Sequence, residues 1–484
     1  GASIISQFFL PFFLPCRSAP RTKRAALLAA LARLPGTIVL WLMAPCLAVR
    51  FGVIGTGCIG QEHMRNLMLA ENCELAAVAD PNEAMLAEAK SILAEVPCFA
   101  NFEDMLAHID LDAVIVAVPN YKHVEVCEKL AGRVHVLCEK PVATTLEDCA
   151  RLRRVVEKSA GKLFAVGLEY RHIPPMRKLL QTLPEVGDVK MVTIREHRFP
   201  FLRKVGLWNR DNDKSGGTLV EKGCHFFDFF RLCCPEGATP TTVYARGGEA
   251  VNHHAPGVVD HAVVVVDFED PPGDPHNNDK EEEEDHHDDT KNRSSRVVVC
   301  TLELSMFAEA SKHQLEVSAV GAAGKVEAFA PAHGVKHDDI SKPNFRLGLR
   351  QPMNWDQATA APPESHTIGA VEELHVPIDD ALMQAGDHSG ATYYELLEFA
   401  RACQQPLAPN NLASVHDATL SVAVGLAAQT SIRERRVVDV RDLLRGMETT
   451  ATKTAKTATK KVDVPLINVA SSTATLLTTT SEDQ

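Results

Sequence analysis

Between residues 49 and 80 the order of residue types leaves few folds open. Val49-Arg50-Phe51-Gly52-Val53-Ile54 reads as a short buried strand that runs into Gly55-Thr56-Gly57-Cys58-Ile59-Gly60, with a helical pattern continuing through Leu69. In such a G-x-G-x-x-G turn the first glycine permits the tight bend, the second lets the backbone approach a pyrophosphate, and the third lets helix and strand pack closely. The helix N-terminus supplies free N–H groups and a partial positive charge to the phosphates. A second strand, Leu75-Ala76-Ala77-Val78-Ala79, ends at Asp80, twenty positions beyond Gly60. A carboxylate there accepts hydrogen bonds from ribose hydroxyls and repels a 2′-phosphate. Pro81 and Asn82 follow with no Arg, so the expectation is NAD, with NADP kept as the alternative.

The pattern continues past this unit. Apolar runs at 98–99, 113–117, 134–137 and 163–166 alternate with helical stretches at 83–93, 102–108, 121–130 and 146–159. Continuous Val/Ile/Ala strands separated by helices describe a parallel sheet covered on both faces, and right-handed crossovers make it doubly wound. From Glu169 the character changes. A helix at 174–183 precedes strands at 190–197, 242–245, 262–268, 296–304, 314–320 and 325–329. Helices at 392–402 and 412–433 and a short strand at 437–440 then close the fold. The fold class expected is therefore α/β, a Rossmann doubly wound parallel sheet over 49–168, followed by an α+β domain over 169–446 with an open antiparallel sheet.

Three segments stand outside this frame. Residues 1–48 lack any acidic residue and carry Arg17, Arg21, Lys23, Arg24 and Arg33. They read as a transit peptide or as sequence upstream of a true start at Met43. A membrane anchor fits less well, because Arg33 and Pro35-Gly36 interrupt the apolar stretch. Residues 269–296 hold 11 acidic and 4 basic residues, more than half of the net charge of −13, and read as a disordered hairpin insert. Residues 447–484, rich in Thr, Ala and Lys, read as a disordered tail. No basic stripe points to nucleic acid. The 13 cysteines form no C-x-x-C pair and read as reduced thiols, which places the chain in the cytoplasm, or in an organelle if the leader is a transit peptide.

Two constellations carry chemistry. Glu139-Lys140-Pro141 closes the fifth strand at the carboxyl edge, where the ligand of a doubly wound sheet lies. A lysine there can hold a nicotinamide ribose or polarise a hydroxyl; the plainer reading is a surface lysine before a strand-ending proline. Pro119-Asn120-Tyr121-Lys122-His123 follows the fourth strand at the same edge, with Asn120 also a helix cap. In the second half, Gly216-Gly217-Thr218-Leu219-Val220-Glu221-Lys222-Gly223-Cys224-His225-Phe226-Phe227-Asp228 reads as one glycine-led helix. Glu221 and His225 then share a face at i and i+4, with Asp228 three further on. A carboxylate beside an imidazole orients it and raises its pKa, which suits a general base. The same spacing permits a metal, but no third ligand is placed, and none is expected.

Taken together, GTGCIG, Asp80, Pro119-Asn120 with His123, Glu139-Lys140-Pro141 and GGTLVEKGCHFFD resemble the Gfo/Idh/MocA family of oxidoreductases, over residues 49–444. The resemblance implies NAD(P)-dependent oxidation of a carbinol in a sugar, inositol or related polyol. It implies a homodimer or homotetramer built through the second sheet, without nucleic acid or membrane. Carried over by position, Lys140 lies near nicotinamide and substrate and His225 is the acid/base, with Glu221 orienting it. Gly55, Thr56, Gly57, Cys58, Ile59, Gly60, Asp80, Pro119, Asn120, His123, Glu139 and Lys140 are the expected cofactor residues. Tyr170, Arg171, Trp208, Arg210 and Lys222 are the expected substrate residues. The chain departs from the family in having Glu221 for Asp and Lys222 for a small or apolar residue. Competing readings are a non-catalytic nucleotide-binding regulator or scaffold, and a glycosidase that uses NAD transiently.

Overall fold

The computed structural model describes residues 48–159, 161–253, 255–270, 297–331, 343–350 and 369–447. The leader, the interior of the acidic insert and the tail lie outside the described residues.

The first half builds β1 (Val49–Ile54), α1 (Cys58–Leu69), β2 (Cys73–Ala79), α2 (Glu83–Ile92), β3 (Cys98–Phe99), α3 (Phe102–His108) and β4 (Ala113–Val116). It continues through α4 (His123–Leu130), β5 (His135–Glu139), α5 (Leu146–Lys158) and β6 (Phe164–Gly167). The six strands pair in the order β3-β2-β1-β4-β5-β6, all parallel. β1 sits between β2 and β4, so the strand order reverses there and opens a crevice at the carboxyl ends. The helix starts match their residues. Asn82, Asn101 and Thr145 each cap a helix by accepting a hydrogen bond from a first-turn N–H.

The second half opens with α6 (Pro174–Thr182) and β7 (Val189–His197), followed by α7 (Thr218–Glu221) and α8 (Gly223–Cys233). Six strands come next: β8 (Thr239–Gly248), β9 (His261–Glu269), β10 (Val297–Ser305), β11 (His313–Gly321), β12 (Gly324–Pro331) and β13 (Phe345–Leu349). β14 (Val371–Leu374), α9 (Asp380–Ala385), α10 (Ala391–Gln404), α11 (Val415–Glu434) and β15 (Val438–Asp439) end the described chain. Nine strands form one open sheet in the order β14-β13-β12-β11-β7-β10-β9-β8-β15. The expectation of a purely antiparallel sheet is corrected at one ladder. β7 and β10 run parallel, because the α7–α8 excursion and the β8–β9 hairpin intervene before β10 returns beside β7. β9 and β10, which flank the acidic insert, pair antiparallel with Glu269 opposite Val297.

Alternation along these strands buries one face under α6, α8 and α11, where Phe226, Phe227, Phe229 and Phe230 enter the core. The other face leaves Met191, Tyr244, Val263 and Val299 exposed. The chain also crosses back. Leu396, Phe399 and Ala400 of α10 pack onto the parallel sheet with Phe51, Val53 and Ile115. The boundary drawn near residue 168 therefore separates the sheets but not their covering helices.

Candidate active site

A cleft of about 940 Å³ runs along the carboxyl edge of the parallel sheet. Its wall includes Gly55, Gly57, Cys58, Ile59, Asp80, Pro119, Asn120, His123, Glu139 and Lys140 from the first half. Arg203, Lys204, Trp208 and Glu221 come from the second. The glycine-rich turn has the shape a dinucleotide needs. A Cβ at Gly60 would lie 1.9 Å from the Gly55 carbonyl oxygen, and one at Gly55 would meet the Ala117 carbonyl at 2.6 Å. A Cβ at Gly57 would meet nothing, so that position faces open space. Asp80 is held at the adenosine end, where one carboxylate oxygen accepts from the Thr56 N–H at 2.8 Å and the other from the Asn82 N–H at 2.8 Å. These features fit a bound dinucleotide, with Asp80 placed for its ribose hydroxyls.

Several of the expected cofactor residues on this wall also bond within the protein. His123 is buried, with Nδ1 2.7 Å from the Pro141 carbonyl oxygen and Nε2 2.9 Å from that of Val118. Two acceptors require two ring protons, and although burial works against the charge, Cys138 and these carbonyls raise the pKa. His123 therefore ties together the loops after β4 and β5. Asn120 donates to the Ser215 carbonyl oxygen at 3.0 Å, which pins the cleft to the second half. Glu139 accepts from His63 at 2.6 Å and from the Lys140 backbone N–H at 3.1 Å.

Lys140 lies on the wall, where its Nζ donates to the Glu221 carbonyl oxygen at 3.1 Å and pairs with the Glu221 carboxylate at 3.5 Å. Burial would lift the Glu221 carboxyl, but Lys140, Lys204, Lys222 and Arg198 outweigh it and hold it at about 2. The helix expected to run through this segment breaks at Lys222, between α7 and α8. Glu221 pairs with Lys140, and the expected Glu221–His225 hydrogen bond is not found among the described residues. His225 is 1 % exposed, and neither ring nitrogen has a hydrogen-bond partner among the described residues. Burial, then Lys140, Lys222, His388 and Arg198, push its pKa well below 6.5, the reverse of the rise expected from a neighbouring carboxylate.

His225 is not among the residues that line the cleft; it is buried, with Tyr170 stacked on its ring at 4.2 Å and 16°. The Tyr170 hydroxyl accepts from Lys222 Nζ at 2.5 Å. Burial, aided by Arg198, lowers the Lys222 ammonium to about 7 against the pull of Glu196. Arg171 is not a pocket residue. Its guanidinium pairs with Asp228 through two nitrogens and donates to the Asn411 carbonyl oxygen, so Asp228 is likewise spent on structure. Arg210 donates to the Phe201 carbonyl oxygen and shapes the strap that carries Trp208, over whose ring Lys204 lies at 4.8 Å.

A second buried network runs beneath the turn. His388 Nδ1 is 2.9 Å from Glu62 and Nε2 3.5 Å from Glu169, while Thr392 Oγ1 lies 3.0 Å from Glu62 and 2.6 Å from Glu169. Glu62, Glu169 and His388 have the composition of metal ligands, within 4.8 Å of one another, but their polar atoms already satisfy each other. Nothing in residue spacing announced His63, Glu62 or His388, whose partners lie 76 to 330 positions away.

Comparison with known proteins converges on this architecture. Residues 49–168 match the Gfo/Idh/MocA family model described as an oxidoreductase family, NAD-binding Rossmann fold. Residues 184–271 match that family's C-terminal alpha/beta domain. The chain is 27 % identical over 227 residues to the uncharacterized oxidoreductase YrbE of Bacillus subtilis, covering 45 % of this chain and 63 % of YrbE. It is 30 % identical over 230 residues to myo-inositol 2-dehydrogenase of Thermotoga maritima, covering 46 % of this chain and 65 % of the relative. The matches thus span less than two thirds of either relative. An Agrobacterium radiobacter oxidoreductase solved in complex with NAD+, L-tartaric acid and magnesium shares the fold. The TM-score is 0.59 at 15 % identity, over 82 % of this chain and all of that one.

Proposed function

The chain belongs to the Gfo/Idh/MocA oxidoreductase family, both of whose domains it carries, and on that premise we propose that it is an NAD-dependent dehydrogenase of a sugar or polyol carbinol. The observation that carries this reading is the cleft that brings Lys140 together with the glycine-rich turn and Asp80. The two ring nitrogens of His225 lack partners among the described residues. When bound, NAD supplies the hydride acceptor. Gly57 and the N-terminus of α1 hold its phosphates and Asp80 its adenosine ribose. Asp80 favours NAD over NADP by excluding a 2′-phosphate.

The protein's own part is to move a proton. His225 stays neutral because protonation would add a charge to a buried site already lined by cations; this leaves a ring lone pair open but makes the imidazole a weak base until an anionic group enters the site. Lys140 remains an ammonium. Burial opposes this, but Glu221 more than restores it, and the charge stabilises the developing alkoxide. Glu221 acts on Lys140 rather than on the imidazole. The exposed apolar positions Met191, Tyr244, Val263 and Val299 support self-association through the outer face of the second sheet.

Incubating the protein with NAD and a panel of aldoses, inositols and their acids, and following NADH, tests the reading. NADH formation that His225→Ala lowers by roughly 10²–10⁴-fold in a folded, NAD-binding protein is the expected result. Undiminished turnover in that variant would discard the mechanism.

A further inference from the structure

Between β7 and α7 a strap of the second half reaches the cleft. Its two limbs are tied across the base, where Asn209 donates to the Leu202 carbonyl oxygen at 2.8 Å and Arg210 to that of Phe201 at 3.0 Å. At the tip the Leu207 N–H donates to the Lys204 carbonyl oxygen at 3.0 Å, and Gly206 and Leu207 reverse the chain with φ of 72° and 55°. This places Arg203, Lys204 and Trp208 on the cleft that Gly57 and Cys58 also line.

Lys204 is within electrostatic reach of Cys58, the first residue of α1. Its ammonium lies 4.8 Å from the Trp208 ring centroid and 4.0 Å from the Glu221 carboxylate, which Lys140 approaches more closely at 3.5 Å. Lys204 Nζ makes no hydrogen bond among the described residues, and its side chain keeps 29 % exposure, so its donors are open to a ligand in the cleft. Burial depresses its pKa, Glu221 pulls against that and Lys140 adds to it, so an anion arriving in the cleft strengthens the charge. Three other lysines of the cleft are already paired, Lys140 with Glu221, Lys122 with Glu125 at 2.9 Å and Lys214 with Asp211 at 3.0 Å. At the turn, α1 has no side-chain cap on Gly57 and no acidic residue in its first turn, which leaves its first N–H groups and positive end for an anion. A dinucleotide's diphosphate is anionic on both phosphates. α1 meets it from the turn, and the strap offers it a cation.

We propose that Lys204 clamps the diphosphate of NAD against the N-terminus of α1, so that the second half of the chain supplies a cofactor contact of its own. This rests on the NAD-dependent reading above. The plainer role for Lys204, a cation resting on Trp208 to keep the strap in shape, needs no phosphate and makes a different prediction.

Calorimetric titration of the full chain with NAD, ADP-ribose and adenosine tests the clamp. Lys204→Met should raise Kd for NAD and ADP-ribose by roughly tenfold or more, the worth of one charge-assisted contact. Kd for adenosine, which has no phosphate, should stay unchanged. Lys204→Arg should restore most of the loss, and added salt should weaken NAD binding more steeply in the wild type than in Lys204→Met. Lys204→Gln gives the same readout should a melting curve show the first variant misfolded. An unchanged Kd for NAD in Lys204→Met, or adenosine weakened by the same factor as ADP-ribose, would overturn the clamp and leave the dehydrogenase reading standing. So would a larger loss in Arg203→Gln, the strap's neighbouring cation. A folded wild type that binds neither NAD nor ADP-ribose would end both.

Discussion

His225 enters the folded protein neutral and stays so well below pH 6.5, whereas His388 is charged up to about 9 because Glu169 and Glu62 outweigh its burial. The two histidines act on stability at opposite ends of the pH scale. For His388 the folded pKa is raised, so its contribution is complete below about 6.5 and fades as pH rises toward 9. Each tenfold difference in proton affinity is worth about 1.4 kcal/mol. Denaturant melts at pH 6.5 and 9 should show this loss, and His388→Gln should be less stable but flatter across that window. A wild-type curve with no slope there would contradict the assignment. The proposed mechanism draws on Lys140 as well. Lys140→Met should depress turnover because a neutral side chain cannot stabilise an alkoxide. Glu221→Gln should be milder and move the basic limb of the pH–rate profile to lower pH, since Glu221 is what raises the Lys140 pKa. Asp80→Ala should weaken NAD binding and narrow its margin over NADP, which titration of both cofactors would reveal.

Among the elements, the break between α7 and α8 matters most. At this junction Lys222 keeps a right-handed helical backbone, Glu221 pairs with Lys140, and Lys222 meets Tyr170. The β1–α1 turn is the least tolerant of change. Gly60→Ala puts a methyl 1.9 Å from the Gly55 carbonyl oxygen, so the helix must shift, and NAD affinity should collapse before the fold does. Calorimetry with NAD beside a circular-dichroism spectrum separates those two outcomes. The β9–β10 hairpin predicts the opposite behaviour for the acidic insert. The flanking strands pair up to Glu269 and Val297, so a short Gly-containing turn in place of residues 271–296 should leave NAD binding and turnover intact. The loop term changes by only about 0.6 kcal/mol per doubling of length.

At the scale of the molecule, two long-range ties join the sheets into one unit. The Arg171 guanidinium bridges the turn after β6 to the buried Asp228 on α8 and to the carbonyl of the exposed Asn411. Removing one partner strands the other charge, so Arg171→Leu should cost about 3–5 kcal/mol, and the double change with Asp228→Leu should recover part of it. Urea melts of the three variants measure that coupling. The second tie is α10, whose Phe399 meets Phe51 of β1 at 6.1 Å between ring centroids, so the chain end completes the core of its beginning.

What the sequence determined by itself is what short-range periodicity and fixed turn geometry control. The six parallel strands, the glycine-rich turn, Asp80 at the end of β2 and Lys140 at the end of β5 are local facts, set by residues a few positions apart. Two strands escaped such reading. β13 alternates Phe345, Leu347 and Leu349 but over only five residues, and β14 is four residues long and largely exposed, so neither is long enough to stand out. The tertiary structure alone decided which partner each buried charge finds. Arg171 reached Asp228 across 57 positions and Lys140 reached Glu221 across 81. His123 turned to two backbone carbonyls, and Glu62 to residues more than three hundred positions away. Spacing along one helix cannot foresee these pairings, because a buried charge must find a partner wherever the packed elements present one, and that depends on the whole chain being in place.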